Sequence, residues 1–556
     1  MPVEADLIVV NGRVLTMDEE KPRAEAVAIA GNEILLVGGK SEALALKGSG
    51  TRVVDAAGTT VLPGIIEGHM HIFPGAAELE TLQLFGVRGF EALEAAVRRY
   101  AGEKPGAKLL VANGADYTIL SGEERVTRQH LDRIVPDRPF AMASPDHHTM
   151  WANTVALERA GLLRGRDVGV GNEVVMGPDG LATGELREGA AFGPVMDLAG
   201  GGGRERLGLS TGGEPDPQPT QEERERDKAV LKRGLTHCAA HGITSFHNMD
   251  GNLYQLELLD EIDREGGLTV RARIPFHFKN FMGLEALEKA SLMAERYRGE
   301  KLRSGFVKMF IDGVLDSWTA VMADDYADKP GHRGDLLFTP ERFAEVATEA
   351  DRRGLQIAVH SIGDGAVNTV LNGYEAARKA NGPRDSRHRI EHIEVVLPKD
   401  VERFAALGVA ASMQPPHPPG SMGLPLEPTI SMIGERRWPF SYAWQTLRNA
   451  GARLIFGSDW PVSDINPIAG IESAVTRKLW KKGLPDQRQS LGDTLASYTC
   501  DGAWLEFMEH RKGCLKRGFL ADLVVLSGDI EKVEPGAIHT LKPVLTVCDG
   551  RVSFEA

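Results

Sequence analysis

The sequence predicts an α/β chain: a (β/α)8 (TIM) barrel with a small β-sandwich domain built from both chain ends and a long insertion after the first barrel strand. Three observations predict it. Short apolar strands alternate with helical patterns through the middle of the chain, the mark of βαβ units and a parallel sheet. Eight strand segments fit that series, the number that makes a (β/α)8 barrel. Each chain end offers too few strands to bury a core alone, and pairing the ends would cover both apolar faces.

The elements follow in order. Residues 6–10 and 13–16 flank Asn11-Gly12, a hairpin turn signal, and residues 26–30 and 33–37 flank Gly31-Asn32. Residues 52–55 and 59–62 add two strands. The C-terminus repeats the style at 521–526, 543–547 and 551–554. This gives a β-sandwich domain of 1–62 plus 513–556 and a barrel domain of 63–512. The barrel strands are expected at 65–71, 243–248, 270–278, 306–312, 357–361, 389–394, 409–414 and 454–459. Thr220 and Glu223 form a capping box that opens one helix, and Gly242 closes it. Thr339-Pro340 opens another, with proline at the first position.

About 170 residues separate the first two barrel strands, far more than a βα loop needs. The insertion, about 75–235, carries strands of its own at 109–115 and 140–144, and a Gly/Pro-rich piece at 199–220. It reads as a lid or subdomain over the barrel mouth.

The bulk composition excludes several functions. Of 556 residues, 42% are hydrophobic and 26% charged, enough apolar material for a large core. A net charge of −14 argues against nucleic acid as partner, because phosphate binding needs a basic surface. No apolar run reaches the length of a membrane span, and the N-terminus has no leader-like pattern. Cys238, Cys500, Cys514 and Cys548 are scattered, which suits reduced thiols in a cytoplasmic protein and no thiolate metal site. Ligands for any metal must then be His, Asp, Glu or a lysine derivative.

The strand ends carry such groups. His69 and His71 close the first strand, and residues i and i+2 of a strand face one side. Lys308 interrupts the apolar fourth strand, His360 and His392 end the fifth and sixth, and Asp459 ends the eighth. Singly, each has an ordinary reading: a satisfied core histidine, an ion-pair lysine, a turn-capping aspartate. Together, four histidines, one aspartate and one lysine at one barrel mouth can bind a metal such as zinc. An unpaired lysine inside a barrel is also costly.

In order along the chain, Pro63-Gly64-Ile65-Ile66-Glu67-Gly68-His69-Met70-His71, Gly242-Ile243-Thr244-Ser245-Phe246-His247, Val307-Lys308-Met309-Phe310-Ile311-Asp312-Gly313, Val359-His360-Ser361-Ile362-Gly363-Asp364, Arg389-Ile390-Glu391-His392 and Gly457-Ser458-Asp459-Trp460-Pro461-Val462 form one motif set. The set resembles the amidohydrolase superfamily of metal-dependent hydrolases, in particular the amidohydrolase-3, or YtcJ-like, branch that includes N-substituted formamide deformylase. The likeness runs to Gly518-Phe519-Leu520-Ala521-Asp522 and beyond, essentially the whole chain.

The resemblance implies two divalent metal ions, usually zinc. It places His69, His71 and Asp459 on one and His360 and His392 on the other, with Lys308 bridging as a carbamate formed with CO2. It implies a hydrolase acting on carbon–nitrogen bonds other than peptide bonds, of N-acyl, N-formyl or related amides, through a metal-bridging hydroxide. Asp459 would be general base and then general acid. A deaminase, or a hydrolase of cyclic amides or esters, is the alternative within the superfamily. A catalytically dead scaffold is the alternative outside it, which six intact ligands disfavour. A small-molecule substrate is expected. Relatives of this kind are often homodimers, although the sequence has no interface pattern of its own.

The substrate-binding candidates are His148, Glu188, Trp318 and Gln414, with His147 read as structural. Glu188 also suits a solvated helix face, and Gln414 could fix a turn. The chain departs from the family pattern at Glu67, where many members have Asp, and at Asp316 and Trp318, where a smaller residue and Arg are expected. An indole at Trp318 could stack on an aromatic substrate.

Overall fold

The computed structural model describes residues 4–120, 124–145, 148–169, 171–199 and 203–556. His147 lies outside the described residues, as do Asp146 and Gly200, Gly201 and Gly202 of the glycine run. The chain forms two compact units. The first comprises Met1–Ile72, Pro219–Trp460 and Asp464–Ala556, and the second Phe73–Gln218 and Pro461–Ser463.

The first unit is α/β, built on two parallel sheets. One runs in the order Leu302–Arg303, Arg271–Arg273, Ile243–Asn248, Ile65–Met70. The other runs Phe276–His277, Phe306–Phe310, Gln356–Ser361, Arg389–His392, Ala410–Met413, Leu454–Phe456. Ile65–Met70 and Gln356–Ser361 are buried at every position, as strands covered on both faces must be. The segment 270–278 is not one strand. It splits at Ile274-Pro275, and its halves join different sheets, since proline has no N–H to give a ladder.

The first and last strands of the series also meet. Met70 forms an isolated parallel bridge with Trp460. His71 N–H donates to Trp460 O at 2.8 Å, and Asp459 N–H to His69 O at 2.7 Å. Gly68 permits this approach: a Cβ there would lie 2.5 Å from Phe456 O.

The helices begin where their caps dictate. Thr220 Oγ1 accepts from Glu223 N–H at 3.3 Å and Glu223 Oε2 accepts from Thr220 N–H at 2.8 Å, opening Gln221–Ala240. The expected insertion boundary near 235 falls inside this helix, and the second unit ends at Gln218. Thr339 Oγ1 accepts from Arg342 N–H at 3.2 Å and caps Pro340–Arg352, with proline at its first position. Among the described residues, no helix is long and apolar enough to cross a membrane.

Both chain ends enter one six-stranded sheet. Leu523–Leu526 lies antiparallel to Thr60–Pro63, flanked by Pro543–Cys548, Arg551–Glu555, Arg13–Leu15 and Arg23–Ala24. A four-stranded sheet of Ala5–Val10, Ala26–Ala30, Glu33–Gly38 and Lys47–Asp55 adjoins it. Val9, Val27 and Ile29 of the second sheet share one buried cluster with Val14, Val61, Val525 and Val547 of the first.

The second unit has its own six-stranded sheet, which includes Leu110–Asn113, Phe140–Ala143, Thr149–Ala152 and Ala182–Arg187. It also has its own apolar clusters around Leu110, Phe140 and Trp151, and around Leu157, Leu186 and Val195.

Candidate metal centre

The ends of the first and last strands are pinned together by a carboxyl group. Glu67 Oε1 accepts from His69 N–H at 3.1 Å and from Ser458 N–H at 2.7 Å. Burial dominates at Glu67 and pushes its pKa up to about 8. Glu67 therefore acts on backbone groups that hold His69 and Asp459 in place. His392 and Asp459 have φ values of 75° and 62°, a left-handed conformation that costs about 1–3 kcal/mol in a residue with a side chain. Such strain clusters at functional sites.

The histidine tautomers follow from their partners. His69 Nδ1 lies 2.7 Å from Glu391 Oε2, and His71 Nδ1 lies 2.9 Å from Asp250 Oδ1. A carboxylate only accepts, so each Nδ1 carries the proton and each Nε2 of the neutral ring presents a lone pair. Both lone pairs face one oxygen: Asp459 Oδ1 is 3.1 Å from His69 Nε2 and 3.3 Å from His71 Nε2. Three lone-pair donors converging in a buried space repel one another unless a cation or a proton lies among them. Burial disfavours a charged His71, but Asp250 and Asp459 outweigh it and raise its pKa to about 9. Burial likewise opposes ionisation of Asp459, and His69, His71 and His392 hold its carboxyl well below the usual range.

The second half of the site adjoins the first. The His392 ring lies 4.8 Å from that of His69 and 4.5 Å from that of His360. His392 Nδ1 lies 2.9 Å from Gln414 Oε1, and His360 Nε2 lies 3.0 Å from Gly313 O. Each oxygen accepts a hydrogen bond from a ring N–H, which leaves His392 Nε2 and His360 Nδ1 as the lone-pair atoms. His417 stacks on His392 at 5.9 Å and 7°, with its Nε2 3.9 Å from Asp459 Oδ2.

Lys308 is fully buried on Phe306–Phe310. Its Nζ lies 4.8 Å from the centre of the Phe310 ring, and among the described residues it has no hydrogen-bond partner. Burial is the main cause that lowers its pKa to about 8.

These residues fit a divalent cation. His69, His71 and Asp459 can each offer one atom within 4.8 Å of the others, and so can His392, His417 and Asp459. Lys308 Nζ, Asp250 Oδ2 and His417 Nε2 are buried without a hydrogen-bond partner among the described residues. Imidazole nitrogen and carboxylate oxygen are the donors that zinc and similar ions take.

Residues 52–554 match the model of the amidohydrolase family. The chain belongs to that family. It is 31% identical over 94% of its length to the protein LONG AFTER FAR-RED 3 of Arabidopsis thaliana, 88% of which is covered. It is 27% identical to YtcJ of Bacillus subtilis (strain 168), named as an amidohydrolase, over 98% of each chain. It is 24% identical to the N-substituted formamide deformylase of Arthrobacter pascens, over 99% of this chain and 98% of that one. Among solved structures, an uncharacterized metal-dependent hydrolase from Pyrococcus horikoshii OT3 superposes with a TM-score of 0.73 at 25% identity, covering 95% of this chain and 99% of that one. The protein is a metal-dependent hydrolase of the amidohydrolase family.

Within this amidohydrolase, the six residues marked at strand ends are not all arranged alike. His69, His71 and Asp459 form one triad, and His417 completes the triad around His392, while His360 adjoins it ring to ring. Gln414 holds the His392 ring rather than standing apart from it. Trp318 has φ 59° and gives its indole N–H to Asp328 at 3.2 Å, with Lys329 Nζ 4.8 Å over the ring. Among the described residues, no hydrogen bond or ring contact joins it to the six. His148 and Glu188 lie in the second unit and pair with each other at 2.8 Å.

Sequence reading missed Asp250, Glu391 and His417. Glu391 stands two residues after Arg389 in one strand, so the two share a face: Arg389 Nη2 donates to Glu391 Oε2 at 2.9 Å. Arg389 also reaches His247 Nδ1 at 2.8 Å, and His247 Nε2 lies 2.8 Å from Glu506 Oε1. That chain anchors the Glu391 carboxylate beneath His69. Asp250 and His417 follow their strands at short distance, and only their residue types marked them.

Proposed function

We propose that this amidohydrolase hydrolyses a C–N amide-type bond, of an N-acyl, N-formyl or related substrate, with two divalent ions, zinc suiting the donors best. The observation that carries the reading is the convergence of His69 Nε2 and His71 Nε2 on Asp459 Oδ1, with both tautomers fixed from behind by carboxylates. His69, His71 and Asp459 would hold one ion. His360 and His392 would hold the other, with His417 as a further donor. The likeness to a formamide deformylase supports the bond class. We read the two parallel sheets as one (β/α)8 barrel and the terminal sheets as a β-sandwich, which puts these residues at the barrel mouth.

Divalent ions held there would lower the pKa of a water toward neutrality and polarise the scissile carbonyl. The chain's own groups do the rest. Asp459 accepts the proton of the attacking water and passes it to the leaving nitrogen, as the C–O bond forms and the C–N bond breaks. Glu391 and Asp250 hold the two imidazoles against rotation and flipping. Lys308, whose pKa is lowered to about 8 chiefly by burial, has far more free amine near neutral pH than an ordinary lysine, although the ammonium still predominates at pH 7. Its nitrogen can add to CO2 with loss of one proton, giving a carbamate whose two oxygens suit two cations.

The test is a panel of N-formyl, N-acyl and cyclic amides offered to zinc- or manganese-loaded protein, beside the Asp459→Ala variant. Acyclic amides should turn over with the wild type and not with the variant. Equal turnover by both proteins sinks the assignment of Asp459, and turnover of cyclic amides alone favours the cyclic-amide reading.

A further inference from the structure

Two cysteines meet at the ends of the segment that carries Glu506. Cys500 begins the short helix Cys500–Leu505, and Cys514 comes after Lys512 and Gly513. The chain between them returns to its own start. A Cβ on Gly513 would lie 2.9 Å from Cys500 Cα and 3.1 Å from Thr499 O, and Gly513 has φ 90°, so only glycine lets the two arms of this loop approach so closely. Cys514, the next residue, therefore stands beside Cys500, and the two thiols hydrogen-bond each other. Cys514 Sγ also lies 3.2 Å from Met17 O.

The pair differs from the other two cysteines. Cys500 and Cys514 are half-buried and open to a small oxidant, whereas Cys238 and Cys548 are buried. The hydrogen bond with Cys514 lowers the pKa of Cys500 below the ordinary thiol value. The same bond, and then burial, raise that of Cys514. Burial raises those of Cys238 and Cys548. The thiolate is the form that attacks an oxidant, which makes Cys500 the first sulfur to react and Cys514 its neighbour in waiting.

The loop that the pair would close carries the outer end of the hydrogen-bonded chain behind His69. Glu506 Oε1 lies 2.8 Å from His247 Nε2 and 2.8 Å from Lys512 Nζ, and Lys512 Nζ donates to Ser245 Oγ at 2.6 Å. Leu505 O accepts from Gln356 Nε2 at 3.1 Å, and Glu509 Oε1 accepts from Arg387 Nη2 at 2.8 Å. From His247 the chain continues through Arg389 to Glu391 and His69.

We propose that Cys500 and Cys514 are a peroxide-oxidised pair, whose disulfide clamps the loop that carries Glu506 and Lys512. The Cys500 thiolate attacks one oxygen of hydrogen peroxide, the O–O bond breaks, and hydroxide leaves a sulfenic acid behind. The Cys514 sulfur then attacks the Cys500 sulfur, the S–O bond breaks, and the hydroxyl departs as water with the Cys514 proton. Two thiols lose two electrons, and one peroxide becomes two waters. The proposal does not depend on the amide-hydrolase reading.

Thiol mapping on the metal-loaded, reduced protein tests it. After a few equivalents of hydrogen peroxide, the protein is alkylated in denaturant and digested. Free thiols should fall from four to two per chain, with the Cys500 and Cys514 peptides joined, and dithiothreitol should restore all four. In Cys514→Ser, which lacks the second sulfur, dimedone should label Cys500 after peroxide. In Cys500→Ser, dimedone should label Cys514 about tenfold less. Amide hydrogen exchange across residues 501–513 should slow about tenfold on oxidation and recover on reduction. Survival of all four thiols, a bond between two chains, or oxidation of Cys238 or Cys548 ahead of the pair overturns the proposal. A Cys500–Cys514 bond that leaves exchange in the loop unchanged also overturns it, because such a bond clamps nothing.

Discussion

His69 Nδ1 lies 2.7 Å from Glu391 Oε2, and both side chains are buried. The carboxylate fixes the ring's proton on the far side from Asp459 and so turns Nε2 toward the centre. Glu391 in turn is clamped by Arg389. Removing the negative charge should release the tautomer. Glu391→Gln is expected to weaken metal binding about 10–100-fold, read by competition with a chelator of known affinity. Unchanged affinity would show that Glu391 does not hold the ligand.

Lys308 separates a structural from a metal-linked role. A methionine there keeps most of the volume and removes an amine that burial already disfavours as a cation. Lys308→Met is expected to match or exceed the thermal stability of the wild type when both are metal-free, and to lose metal when both are loaded and dialysed. Carbon-13 bicarbonate should give a carbamate resonance in the wild type and none in the variant.

Glu67 should behave as a neutral acceptor. With its pKa raised to about 8, chiefly by burial, it is largely protonated at pH 7, and glutamine copies that state. Glu67→Gln is expected to cost under about 1 kcal/mol by denaturant unfolding and to keep its metal. Glu67→Ala strands the His69 and Ser458 N–H groups and should cost about 2 kcal/mol or more.

Glu506 gives a pH signature at the far end of the chain that runs through His247 and Arg389 to Glu391. Burial alone would raise its pKa, but Lys512 at 2.8 Å and His247 lower it well below the ordinary carboxylate value of 4.5. A depressed folded pKa means stability that is present above pH 4.5 and lost as pH falls below it. Glu506→Gln is therefore expected to cost about 3 kcal/mol near pH 7, because Lys512 loses its partner. The gap from wild type should shrink as unfolding is repeated from pH 5 toward pH 3.

The sequence displays some of these groups and hides others for physical reasons. His69, His71, Lys308, His360, His392 and Asp459 stand out because each interrupts or ends an apolar strand, where a polar residue is conspicuous. The terminal strands are legible through their alternating residues and through Gly31-Asn32, whose flanking strands pair, whereas Asn11-Gly12 closes no hairpin: Ala5–Val10 and Arg13–Leu15 enter different sheets. The pairing of the two chain ends follows from the need to cover two apolar faces. Asp250 and His417 are hidden because each follows its strand in a connecting segment, where polar residues are ordinary. The split of 270–278 turns on Pro275, which a run of strand-forming residues masks. Trp318 attracts attention as an unusual residue, yet its indole is engaged by Asp328 and Lys329. That engagement is a matter of loop geometry, which spacing does not encode.

The central claim is that His69, His71 and Asp459 share a metal ion beside a second one at His392. Metal analysis by plasma mass spectrometry on protein purified without chelator tests it most directly, with His71→Ala prepared alongside. The account predicts two divalent ions per wild-type chain, zinc foremost, and a marked fall in the variant. Near-zero metal in the wild type after zinc reconstitution, or equal metal in both proteins, would contradict it.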